Sequence, residues 1–337
     1  MSSMDSMRRT IDWDGDAIVI VDQCALPDTL QTLRLHILDE LIGAIQRLAV
    51  RGAPALGAAG ALGVALAARA HPDDPDTVRA EAERLAAARP TAVNLGWGVR
   101  QALASLPDGP DAVLASAQAL LDDDERVNRQ ASARAGELIL DLCERRPLRF
   151  LTHCNTGRLA TVAWGTALGA VKHLALAGHV ESVLVDETRP LLQGARLTAF
   201  ELAEAGIPYR LCPDSAAATA LARGLVDCVV VGADRIARNG DVANKVGTFP
   251  LALAAHHARV PFVVVAPEST LDPDVPAGDA IVVEERAADE VTHLAGRAIA
   301  PDGAAAYNPA FDITPAEFVT AIVTEEHVFA QGVWRAS

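Results

Sequence analysis

Apolar residues Leu33, Ile37, Leu38, Leu41, Ile45 and Leu48 recur every three or four positions, which predicts a helix over 32–50. Just before it, AIVIV at 17–21 follows a turn at Asp14-Gly15 and reads as a short strand. RGAPALG at 51–57 breaks the period, and small-residue chain over 55–69 resumes it. Further helices are expected over 77–88, ended by Pro90, and over 111–143. At CERRPLRF, 143–150, the pattern changes. Short β-branched runs at 149–154, 180–186, 208–212, 226–234 and 261–267, with another at 280–283, now alternate with helices. These helices are expected from about 159, over 195–206, 215–223 and 250–258. TPAEFVTAIVTEE predicts a last helix with Thr314 as N-cap and Pro315 at its first position. Continuous apolar strands separated by helices imply a parallel sheet. The expected fold is α/β: a mainly helical N-terminal domain with a small β element, 1–145, then a Rossmann-like doubly wound parallel-sheet domain, 146–337.

Composition narrows the function. The 337 residues are 50% apolar and 22% charged, which excludes general disorder. A net charge of −15 argues against nucleic acid as a partner, because phosphate backbones need clustered Lys and Arg. It leaves room for a small basic pocket. Cys24, Cys143, Cys154, Cys212 and Cys228 form no CxxC pair, so free thiols in a reducing cytoplasm are expected. The first residues carry no secretory pattern. The longest uncharged run, between Arg51 and Arg69, is too rich in Ala and Gly for a good membrane span and reads as a buried helix.

In open α/β sheets ligands bind beyond the carboxyl ends of the strands. Three sequences rich in functional groups fall there: THCNTG at 152–157, DETRPLLQGAR at 186–196 and GADRIARNGDVANKVGT at 232–248. In the first, Asn155, Thr156 and Gly157 are expected to open a helix whose N–H groups hold phosphate. Cys154 on that turn would gain thiolate character; the alternative is a buried spacer cysteine. In the second, Gln193 suits sugar hydroxyls or makes a loop contact, and Arg189 meets phosphate or pairs with Asp186 or Glu187. In the third, Asp234 in a dry pocket suits general-acid work, unless it pairs with Arg235 or Arg238. Asn239-Gly240-Asp241 reads as a turn, and Lys245, after Asn244, can neutralise phosphate. In the first domain, the segment Arg51, Gly52 and Ala53, together with Arg89, offers charge and close backbone approach. Neither GxGxxG nor GxxxxGK[ST] is present, which weakens dinucleotide and ATP readings. No HExxH or paired-Cys spacing suggests a metal, and the nine histidines, His153 included, read as structural or solvated.

These stretches, with ARPTAVNLGW, GTALG, EVTHLAGRAIAPDG and YNPAFDITP, closely resemble the S-methyl-5-thioribose-1-phosphate isomerase family, relatives of the regulatory subunits of translation initiation factor 2B. The resemblance spans nearly the whole chain from about residue 10. It implies a catalytic pair, Cys154 and Asp234. It also implies substrate binding by Arg51, Gly52, Ala53, Arg89, Gln193, Asn244 and Lys245. A sugar-phosphate substrate, a homodimer, no cofactor and no metal are implied as well. Arg158 departs from the small residue many members carry, and would add charge at the lip of the expected THCNTG helix. The methionine some members place near 212–220 is missing, so a 5-deoxyribose or ribose 1-phosphate is an alternative substrate. A non-catalytic sensing subunit is the alternative outside enzymology.

Overall fold

The computed structural model describes residues 9–330; the outer limits of the two expected domains, residues 1 and 337, lie outside it. The chain forms two compact units. The first comprises residues up to Arg129 together with Thr156–Gly165, and the second comprises Gln130–Asn155 and the chain from Thr166 onward.

In the first unit, β1 (Ile11–Asp14), β2 (Ala17–Val21) and β3 (Thr32–Leu35) make an antiparallel sheet. The helices are α1 (Leu38–Gln46), α2 (Ala53–Ala70), α3 (Pro75–Ala86), α4 (Val93–Leu103) and the first part of α5 (Pro110–Leu142). Among the described residues α2 alone is long and apolar enough to cross a membrane, and most of it is buried among Leu41, Leu85, Leu95 and Val99. The helix expected over 32–50 begins only at Leu38. Thr32–Leu35 instead alternates outward and inward beside β2, a four-residue period-two run hidden inside a helical one.

The second unit is built on a seven-stranded sheet. Its strands are β4 (Leu148–Thr152), β5 (Val180–Asp186), β6 (Tyr209–Cys212), β7 (Cys228–Val231), β10 (Phe262–Val265), β15 (Ala321–Val323) and β16 (Val328–Ala330). They lie in the order β16-β15-β10-β7-β4-β5-β6, parallel except for β16. A smaller sheet, β11-β8-β9-β14, joins Leu271–Asp272, Arg235–Ala237, Val242–Lys245 and Phe311–Thr314, and a two-stranded hairpin pairs β12 (His293–Leu294) with β13 (Arg297–Ala298). The helices are α6 (Ala167–Leu176), α7 (Ala199–Glu204), which continues a π-turn at Gly194–Thr198, then α8 (Ala217–Ala222), α9 (Thr248–Ala258) and α10 (Asp289–Thr292). Helices α8 and α9 bury Ala217, Leu221, Leu251, Ala252 and Ala255 against Leu151, Val229, Val231, Phe262 and Val264. The doubly wound α/β class read from the pattern is the observed one.

Three local expectations fail. No helix follows Gly157: a three-residue 3₁₀ turn, Arg158–Ala160, is followed by irregular chain until α6 begins at Ala167. The segment is fastened inside the first unit by Thr10 N–H to Val162 O (2.7 Å), Gln23 Nε2 to Leu159 O (2.7 Å) and Val162 N–H to Asp124 Oδ2 (2.8 Å), which replace helical bonds. The helix expected from Pro315 is a 3₁₀ turn followed by β15, because Val264 and Val265 of β10 offer an open ladder to the β-branched Ile322 and Val323. Residues 280–283 form no strand.

Candidate active site

In the second unit the chain starts at β4, winds outward through β5 and β6, then returns to β7 on the opposite side of β4. The β4–β7 junction is therefore the topological switch point, where the connections diverge and leave a crevice. Leu151 of β4 pairs with Val229 of β7. Cys154 thus emerges three residues beyond the paired position and Asp234 five residues beyond its partner, from the same end of adjacent strands. Asp234 is half-buried, and its N–H donates to Ala243 O at 2.9 Å, which sets the root of the β8–β9 hairpin. The turn of that hairpin is Asn239-Gly240-Asp241, as expected. Arg235 pairs with Asp272 at 3.7 Å.

Cys154 has φ +65°, in the left-handed region that a side-chain-bearing residue rarely occupies. Two threonines hold it there. Its N–H donates to Thr188 Oγ1 (2.8 Å) and its carbonyl accepts from Thr198 Oγ1 (2.6 Å). Thr188, also at φ +65°, donates its hydroxyl to Asp186 O (3.1 Å) and its N–H to Asp214 Oδ1 (2.7 Å). Backbone strain of this kind costs about 1–3 kcal/mol and persists only where its surroundings over-determine it.

Asn155 does not cap a helix. Its Nδ2 donates to Glu201 Oε1 (2.9 Å), and Glu201 Oε2 accepts from Lys172 Nζ (3.0 Å), an ion pair buried at 0% and 2% residue exposure. The phosphate-holding helix terminus expected at Asn155, Thr156 and Gly157 is therefore not formed. Thr156 and Gly157 belong to the first unit, where Gly157 bridges Gly165. Arg158 is buried, so it adds no exposed charge at a helix lip.

Gln193, at the mouth of the π-turn, is buried, and its Oε1 accepts no hydrogen bond among the described residues. A buried orphan acceptor is expensive and calls for a ligand or water donor. Asn244 Nδ2 donates to Thr248 Oγ1 (3.0 Å), while Lys245 Nζ donates to Ala310 O (2.7 Å) and lies 4.8 Å from the Phe311 ring centre. Arg189 bonds the carbonyls of Pro190 (3.0 Å) and Val291 (2.9 Å) rather than an acid. In the first unit, Arg51 Nε donates to Gln23 Oε1 (3.2 Å). Gly52 has φ +93°, and a Cβ there would lie 2.3 Å from Ala160 O, so only glycine fits before Ala53 opens α2. Arg89 is half-buried in the loop before α4.

His153, expected to be structural or solvated, is structural. His153 is fully buried, with Nδ1 2.9 Å from Asp186 Oδ2 and Nε2 2.8 Å from Val246 O. Burial pulls its pKa down, but the hydrogen bond and charge of Asp186, the Val246 carbonyl and Asp214 together leave it raised. Burial raises the Asp186 pKa, and His153 opposes that. Cys212 lies 3.4 Å from Asp186 Oδ1, and burial followed by the Asp186 charge pushes its thiol up to about 12. His153, Asp186 and Asp214 place ligand atoms within 4.8 Å of one another, a spacing that would suit a metal. Each of these side chains already serves the protein: His153 and Asp186 bind each other, and Asp214 accepts the N–H groups of Thr188 and Arg189. The signal that could have found His153 was its place beside Cys154 at a strand end. All five cysteines are free.

The model of the initiation factor 2 subunit family matches residues 49–331. The chain belongs to that family. Within it, the chain is 61% identical over 323 residues to a probable bifunctional methylthioribose-1-phosphate isomerase/methylthioribulose-1-phosphate dehydratase of Nocardia farcinica; the match covers 95% of this chain but only 58% of that protein. It is 52% identical to the methylthioribose-1-phosphate isomerase of Anaeromyxobacter sp. strain K, covering 93% and 91% of the two chains. Among solved structures of the family, 5-methylthioribose 1-phosphate isomerase from Pyrococcus horikoshii superposes with TM-score 0.89 at 35% identity, covering 97% and 94%. A structure described as translation initiation factor eIF-2B subunit delta from A. fulgidus superposes with TM-score 0.86 at 42% identity, covering 96% of each chain.

Proposed function

We propose that this chain is an aldose–ketose isomerase that converts S-methyl-5-thioribose 1-phosphate to S-methyl-5-thioribulose 1-phosphate in methionine salvage, as a cytoplasmic homodimer. The observation that carries the reading is the pairing at the switch point: a strained, doubly fastened cysteine and an aspartate leave adjacent strands at the same end. The buried Gln193 carbonyl supports it as an acceptor waiting for a sugar hydroxyl.

The substrate's aldehyde is masked by the C1 phosphate, so the furanose must open with that phosphate in place. Asp234 protonates the ring oxygen as the C1–O4 bond breaks, and cationic character develops at C1. The C2 hydrogen then moves to C1 while the O2–H proton leaves to a base, giving a C2 ketone. If the hydrogen moves as hydride, Cys154 or ionised Asp234 takes the O2 proton. If it moves as a proton, Cys154 thiolate removes it and the enol is reprotonated at C1. Atoms balance in both routes. Gln193, Asn244 and Lys245 bind substrate in the second unit; Arg51, Gly52, Ala53 and Arg89 keep the binding role that the resemblance implies. With no helix opening at Gly157, phosphate binding in the second unit falls to Lys245.

The test incubates pure protein with the methylthio, 5-deoxy and ribose 1-phosphates and follows ketose by phosphorus NMR. Fastest turnover of the methylthio sugar supports the proposal. Preference for another sugar transfers the reading to that substrate, and binding without turnover makes the chain a sensing subunit. In D₂O, deuterium at C1 of the product marks the enol route.

A further inference from the structure

The chemistry-bearing loops of the second unit meet at one side chain. Thr152 of β4 pairs with Val185 of β5, so the next residues, His153 and Asp186, face each other at the strand ends. The His153 ring bonds Asp186 on one side and the Val246 carbonyl, between Lys245 and α9, on the other. Gly247 is shaped for this contact: φ is +107°, and a Cβ would lie 2.6 Å from His153 Cε1. Asp186 O also receives the hydroxyl of Thr188, which fixes the Cys154 N–H.

We propose that His153 is a positioning residue of the isomerisation, held as an imidazolium that donates from both nitrogens and so clamps together the loops bearing Cys154, Gln193 and the Asn244–Lys245 pair. This rests on the site reading above. A carbonyl only accepts, so Nε2 must carry a proton; with Asp186 ionised, Nδ1 carries one too. The carboxylates facing the ring favour this state: Asp186 on β5, Asp214 before α8 and Asp312 on β14, while Lys245 on β9 acts on Asp312. Loss of the Nδ1 proton would leave two acceptors facing each other at 2.9 Å and open one jaw of the clamp. Because the folded pKa is raised, the clamp is complete below the ordinary histidine value of about 6.5 and is lost as pH rises through the raised value.

The experiment records kcat and KM against pH for the native enzyme, His153→Gln and Cys154→Ser, with imidazole ¹⁵N NMR of the native protein. The expected result is a ring protonated on both nitrogens at neutral pH, an alkaline fall in kcat with the same midpoint as the ring, and a His153→Gln enzyme at least about tenfold slower that lacks this limb. A neutral ring at neutral pH, or an alkaline limb unchanged in His153→Gln, overturns the proposal. Should His153→Gln fail to fold, agreement or disagreement of the two native midpoints still decides. Full turnover by Cys154→Ser would instead condemn the site reading itself, so the two failures are distinguishable.

Discussion

Replacing Thr188 by valine removes one hydroxyl with two jobs and keeps the side-chain shape. The hydroxyl accepts the Cys154 N–H at 2.8 Å and donates to Asp186 O at 3.1 Å. Thr188 is 0% and Cys154 6% exposed, so water cannot take either place. An orphaned buried N–H costs about 1–3 kcal/mol, and the second bond adds about 0.5–1.5 kcal/mol. T188V should therefore lose about 2–4 kcal/mol of stability in urea unfolding. T188S keeps the hydroxyl and should lose only about 1 kcal/mol, for one methyl group. Cys154 would also be free to leave its left-handed backbone, and each 1.4 kcal/mol of misplacement lowers kcat about tenfold. T188V within about 0.5 kcal/mol of T188S, at equal kcat, would refute the claim that this hydroxyl fixes the thiol.

Gly247→Ala meets both a positive φ and the His153 ring, so it should destabilise the fold by more than about 2 kcal/mol and slow turnover; differential scanning calorimetry with a kinetic assay checks both. Lys172→Met strands Glu201 in the core and should cost about 3–5 kcal/mol, while K172M/E201L should recover part of it; urea melts of both variants decide. Burial raises the Asp124 pKa from 3.8 to about 7 against the opposing Val162 N–H. The folded state then keeps a proton the unfolded chain releases, so stability falls as pH rises across that window, and Asp124→Asn should flatten the fall measured by unfolding at several pH values.

The strands of the large sheet were legible because each is a short apolar run that needs no partner to be recognised, as CVVV and FVVV show. The position of the candidate pair was legible for the same reason, since Cys154 and Asp234 sit where such runs end. What escaped depends on distant pairing. Thr32–Leu35 becomes a strand only beside β2, and Ala321–Val323 only beside β10. Residues 158–165 carry helical composition, yet Gln23, Thr10 and Asp124, remote in sequence, take their backbone bonds. The change of pattern near residue 145 marks the start of the sheet at Leu148, whereas the compact units divide within α5 and set Thr156–Gly165 apart. The partners of His153 were not legible because a lone histidine has no spacing to read; they come from β5 and from the turn before α9.

The account centres on Cys154 and Asp234 acting on one bound sugar. The direct measurement is iodoacetamide labelling of Cys154 in Asp234→Asn, quantified by peptide mass spectrometry with and without methylthioribose 1-phosphate, beside its turnover. The account predicts that substrate still shields Cys154 while kcat falls by about 10²-fold or more. Labelling indifferent to substrate, with turnover intact, would contradict it.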